Sequence, residues 1–128
     1  MNNREKKLVE VEPGTHSLSN HFLNTPWPKV RRGKANLRNY IINVDEVNEE
    51  SLFEMAMDRK IAEDHDLPST GVPLDLERQL SPLFIKTEGY GTRSITVLTI
   101  SKNKEVNFVE RTFKDGEFTS EERFNFTI

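Results

Sequence analysis

A chain of 128 residues, 34% of them hydrophobic and 30% charged, has room for one domain and not comfortably for two. Its net charge of −3 gives no electrostatic reason to expect nucleic acid or an anionic membrane as partner. The absence of cysteine excludes a disulfide framework, a thiolate metal site and a cysteine nucleophile within this chain, and fits a cytoplasmic setting.

The start, Met1 to Lys7, is polar and lacks the apolar core of a secretory signal. No apolar run approaches the roughly 20 residues that span a bilayer. Leu8-Val9-Glu10-Val11 predicts a short strand, stopped by Pro13-Gly14, and Thr15 to Asn20 predicts an extended segment or turn. Thr25-Pro26-Trp27-Pro28 reads as a helix start, with Thr25 as cap and proline in the first turn. Val30, Leu37, Tyr40, Ile41 and Val44 then fall on one helical face. A second helix is expected from about Glu49 to Ala62, capped by Asn48, with Leu52, Phe53, Met55, Ala56 and Ile61 as its buried stripe. A loop over Glu63 to Asp75 and a helical turn over Leu76 to Leu80 follow.

The last third is β-prone. Ser94 to Ile100 has the near-continuous apolarity of a strand covered on both faces. Lys102-Asn103-Lys104 is a turn, Val106 to Phe113 its hairpin partner, and Asp115-Gly116 a second turn. Period-two alternation puts Phe118, Phe124, Phe126 and Ile128 on one face of a final strand. The fold class is therefore α+β, two main helices followed by an antiparallel meander, in a single domain over residues 1–128. Ile95, Val97, Leu98 and Ile100 are expected to pack against Leu37, Ile41 and Phe53.

Few residues offer chemistry. His16, His21 and His65 lack ligand spacing, and no metal is expected at them. Leu67-Pro68-Ser69-Thr70-Gly71 matches a sortase signal but has almost half the chain behind it, so it reads as a loop; Asn125-Phe126-Thr127 matches a glycosylation acceptor by chance. Gly89-Tyr90-Gly91 precedes a strand rather than a helix, which suits a hinge or close backbone approach and not phosphate binding. Arg93, at the mouth of a strand expected to be central and buried, needs an ion pair or a ligand to offset its desolvation. Asn20 can donate to an oxyanion or fix a turn.

Three stretches together resemble the NRDE family, also called the transport and Golgi organization 2 family. They are Glu12 to Asn20 running into Leu23 to Val30, Leu67 to Pro73, and Tyr90 to Ser94 through Phe108 to Phe113. The resemblance implies an N-terminal nucleophile (Ntn) hydrolase-like fold, a four-layer αββα sandwich. In that fold a leading cysteine attacks an amide and its α-amino group serves as base. The family's Met-Cys start and Asn-Arg-Asp-Glu motif are missing here, and Asn3-Arg4-Glu5 matches a different Asn-Arg element. The chain is therefore expected to be the C-terminal portion of that fold, not catalytic alone, needing no cofactor. By analogy Asn20 takes the place of an oxyanion-hole amide and Arg93 that of an arginine near the nucleophile. The implied partners are a complementary N-terminal polypeptide or a second copy. A non-enzymatic binding or trafficking role, for haem or a lipid-like ligand, is the alternative, although no haem-ligand motif stands out.

Overall fold

The computed structural model describes residues 8–128; the expectations for the polar start and for Asn3-Arg4-Glu5 lie outside the described residues. Leu8 to Val11 forms no strand, and Leu8 and Val9 are exposed. With no neighbouring strand to pair with, β propensity has nothing to act on.

Helix α1 spans Pro28–Ile42 and starts three residues later than Thr25. The Thr25 hydroxyl is hydrogen-bonded to His21 Nδ1 (2.9 Å) instead of capping a helix amide. Trp27 is the N-cap, without a side-chain bond, and Pro28 takes the first-turn position where a missing N–H costs nothing. Gly33 lets α1 approach Leu83, whose methyls lie about 3.4 Å from where a Cβ would stand. Helix α2 spans Glu49–Ala56, with Ser51 N donating to the Asn48 side chain as capping requires. It ends six residues before the expected Ala62. Asp58 is the reason: its carboxylate accepts from Lys60 N (2.8 Å), an Asx-type turn that competes with helical bonding. Ile61 is consequently 56% exposed rather than part of a buried stripe. A 3₁₀ turn at Asp64–Asp66 and helix α3, Leu74–Leu80, follow.

Strands β1 (Lys86–Thr87) and β2 (Tyr90–Gly91) form a small hairpin. A Cβ on Gly91 would stand 2.9 Å from the Ile85 carbonyl, so this glycine serves a close backbone approach. The main sheet is antiparallel, in order β3 (Ser94–Ile100), β4 (Glu105–Lys114), β5 (Glu117–Thr127). Asp115 (φ 53°) and Gly116 (φ 77°) form the left-handed pair that a tight β4–β5 hairpin demands.

One face of this sheet carries the core. Phe53 and Phe84 pack with Ile95, Val97, Val109 and Phe113, and Leu52, Ala56 and Met57 extend the cluster. Ion pairs fasten α2 to the same face. Arg123 binds Glu49, and Arg111 binds Glu50 and Glu121 while its guanidinium lies 3.9 Å from the Phe53 ring centroid. These arginines hold Glu49, Glu50 and Glu121 below the usual carboxylate range.

Among the described residues the opposite face is largely uncovered, although Val106 of the central strand, between Ile100 and Phe126, is buried. Leu98, Ile100, Phe124 and Phe126 project there and are each more than half exposed. Three expectations are corrected here. Strand β3 is covered on one face only, and it is an edge strand rather than a central one. Of its apolar residues, Ile95 and Val97 meet Phe53, whereas Leu98 and Ile100 point away and Ile41 is 49% exposed. Phe118 does not share a face with Phe124 and Phe126. The register steps from Thr112↔Ser120 to Phe113↔Phe118, so a β-bulge at Thr119 moves Phe118 to the helix-covered side, beside Phe113 (centroids 6.3 Å apart).

Candidate functional site

The loop before α1 is built around Asn24, which adopts φ 60°. Its amide N–H bonds to Ser17 O (2.8 Å), and its side-chain oxygen accepts from Ser17 N and from Lys34 Nζ (3.1 Å each). Asn24 Nδ2 donates to His16 Nδ1, and His16 Nε2 donates to the Glu12 carbonyl. One neutral imidazole tautomer satisfies both contacts. Asn24 and His16 thus use their polar capacity to hold the loop in shape, and that loop presents Asn20.

Asn20 lies exposed on the rim of a cleft of about 590 Å³, within the range of small-molecule sites. Its side chain makes no hydrogen bond among the described residues. His21, Trp27 and Lys29 form one wall of the cleft; Pro68, Ser69 and Thr70 form another; Glu77, Leu80 and Ser81 of α3 and its end close it. Two stretches that are far apart in sequence, Asn20 to Lys29 and Pro68 to Thr70, therefore meet in one place. The Leu67 to Gly71 string is a loop, as expected, and it is also a cleft wall.

Lys29 and Glu77 set the electrostatics of this cleft. Lys29 Nζ donates to the Leu80 carbonyl (3.0 Å), and burial pushes its pKa below the ordinary lysine value. Glu77 is only 7% exposed, and its Oε1 accepts from both Thr70 N (2.8 Å) and Thr70 Oγ1. No ion pair joins Lys29 to Glu77, and neither has another ion-pair partner among the described residues. Neither residue was singled out by the sequence. A lysine on an amphipathic helix and a glutamate near a helix start look like solvated side chains, and only the tertiary meeting of α1 with α3 buries them.

Arg93 stands elsewhere. It is exposed, makes no ion pair among the described residues, and lines a separate shallow depression of about 480 Å³ with Tyr90, Thr92 and Thr119. The structure does not bring Asn20 and Arg93 into one cleft. The desolvation that called for a partner at Arg93 is absent, because β3 is an edge strand. His65 is exposed, while neighbouring Asp64 and Asp66 are taken by Arg78 and Arg31. Among the described residues no three His, Asp or Glu side chains gather as a metal site, and no helix is long and apolar enough to cross a membrane.

Helices on one face of an antiparallel sheet define an α+β protein, and a cleft of small-molecule size opens between α1 and α3. The family model described as Transport and Golgi organisation 2 matches residues 1–115, and the chain belongs to that family. It is 26% identical over 123 residues to the Transport and Golgi organization 2 homolog of Mus musculus, covering 91% of this chain and 45% of the mouse protein. It is 26% identical over 136 residues to the Transport and Golgi organization protein 2 homolog of Homo sapiens, covering 99% of this chain and 49% of the human protein. The chain thus spans about half the length of the curated relatives it matches.

Proposed function

We propose that this chain forms the C-terminal sheet and helix layer of an Ntn-hydrolase-like αββα sandwich of the C–N amide hydrolase class, and that its open sheet face seats a second sheet. That second sheet belongs to the other half of the family's length, on the same polypeptide or on another. The observation that carries the reading is the exposure of Leu98, Ile100, Phe124 and Phe126 on one face of a sheet whose other face is a finished core. In such an assembly this chain contributes positioning groups and no nucleophile, since it has no cysteine. Asn20 is the oxyanion or substrate amide, supported by its uncommitted side chain at the cleft rim. Arg93, in a separate depression, is a second positioning group. The same reading includes a cytoplasmic location.

A second reading draws on the same apolar patch: a binding or trafficking protein for haem or a lipid-like ligand, without chemistry. Haem titration followed by absorbance separates the two, a saturable spectral change favouring the second. The first is tested by co-expressing the chain with a segment that carries the other half of a family member's length. A one-to-one complex that buries the open face supports it. Failure to associate, with the chain remaining a stable monomer alone, contradicts it.

A further inference from the structure

The cleft between α1 and α3 holds two opposite charges that do not neutralise each other directly. Lys29 spends one of its three N–H donors on the Leu80 carbonyl, and no other side chain among the described residues takes the remaining two. Glu77 takes two hydrogen bonds from Thr70 on a single oxygen, Oε1, and no cation among the described residues pairs with the carboxylate. The two line the same cleft, and Leu80, whose carbonyl holds Lys29, follows Glu77 by three residues on α3. A half-buried ammonium and a buried carboxylate lining one cleft repel a purely anionic or purely cationic guest about as much as they attract it. They match a guest that carries both charges. Apolar surface from Trp27, Pro28 and Pro68 adjoins the charged pair.

From this arrangement we infer that the cleft binds a zwitterion of the α-amino-acid type, with the guest carboxylate on Lys29, its ammonium on Glu77 and its apolar side chain against Trp27. The exposed Asn20 amide supplies a further donor to the carboxylate. The inference rests on reading the cleft as a ligand site. It is independent of whether a second sheet covers the open face, which lies on the other side of the meander from the helices.

Trp27 is the only tryptophan of the chain and lines the cleft, so its fluorescence reports occupancy directly. The full chain is titrated with three probes of matched length: norleucine, with both charges; hexanoate, with the carboxylate alone; and pentylamine, with the ammonium alone. Norleucine is expected to give a saturable change, with each single-charge probe at least about ten-fold weaker, the ratio that roughly 1.4 kcal/mol of lost charge pairing produces. Lys29→Met should bring norleucine down to the level of pentylamine. Glu77→Gln should bring it down to that of hexanoate, and thermal melts report whether each variant remains folded. The wild-type comparison of the three probes decides the matter even if a variant does not fold. Equal binding of norleucine and one single-charge probe overturns the zwitterion inference but leaves a ligand site. No saturable response to any of the three overturns the ligand site with it.

Discussion

The two faces of the β3–β4–β5 sheet are made by the same three strands, and they end differently. On the helix side Val109 and Phe113 are 0% and 2% exposed, Phe53 is fully buried against them, and charged residues are tied to α2 by arginine–glutamate pairs. On the other side Phe124 and Phe126 are 56% and 52% exposed, and Val106 of the central strand is the buried residue there. The contrast teaches that alternation in a strand specifies two faces but not two cores. A face becomes core only if another element arrives to cover it, and here α2 reaches one side only.

The largest expected effect comes from breaking the finished face. Phe53→Ala removes a fully buried ring from the centre of the core and should cost about 3–5 kcal/mol by urea unfolding. A loss under about 1 kcal/mol would mean that the helix-covered face is no better packed than the open one. Next is Arg111→Met, which deletes the guanidinium over Phe53 and the links to Glu50 and Glu121 but keeps much of the apolar stem. About 1–2 kcal/mol is expected, part of it the cation–π contact and part a partly screened ion pair.

The same network contributes a pH dependence, beside the pairs of Asp64, Asp66 and Glu117 with Arg78, Arg31 and Lys86. Arg123 lowers the pKa of Glu49, and Arg111 lowers those of Glu50 and Glu121. Carboxylates lowered on folding stabilise the native state fully above their ordinary value, near 4.5, and lose that contribution as pH falls through the folded values. The melting temperature should therefore drop on acidification below about pH 4.5, and less steeply in Arg111→Met than in the parent chain. An identical slope in the two would remove this network from the account. The smallest effect is expected on the open face. Phe124→Ala, on an exposed ring, should change the stability of the isolated chain by no more than about 0.5 kcal/mol, because truncating it leaves no buried cavity.

Local signals were legible in the sequence wherever chemistry within a few residues decides the outcome. The Asn48 cap, the Asp115-Gly116 turn and the order of helices before meander all follow from such signals. What escaped depends on distant partners. Alternation alone cannot announce the bulge that turns Phe118 over, since one unpaired residue, Thr119, inverts everything before it. Nor can it show that Lys29 meets the Leu80 carbonyl 51 positions away. Asn20 was legible as an amide in a small-residue loop, but its setting depends on Asn24 folding that loop and on Pro68 to Thr70 closing the cleft. The apolar run of β3 looks two-sided and makes Arg93 the mouth of a buried strand, whereas one face of β3 is the open one.

The central claim, that the open face is an interface awaiting a sheet, is tested most directly by light scattering coupled to size exclusion. The parent chain is compared over a concentration series with a Leu98→Lys, Phe124→Lys double variant. The parent should self-associate as concentration rises, since an uncovered apolar face and two free strand edges favour association. The variant should be monomeric, with a melting temperature close to that of the parent at low concentration. A parent chain that stays a monodisperse monomer at every concentration, or a double variant that unfolds, would contradict the claim and make this face part of the domain's own core.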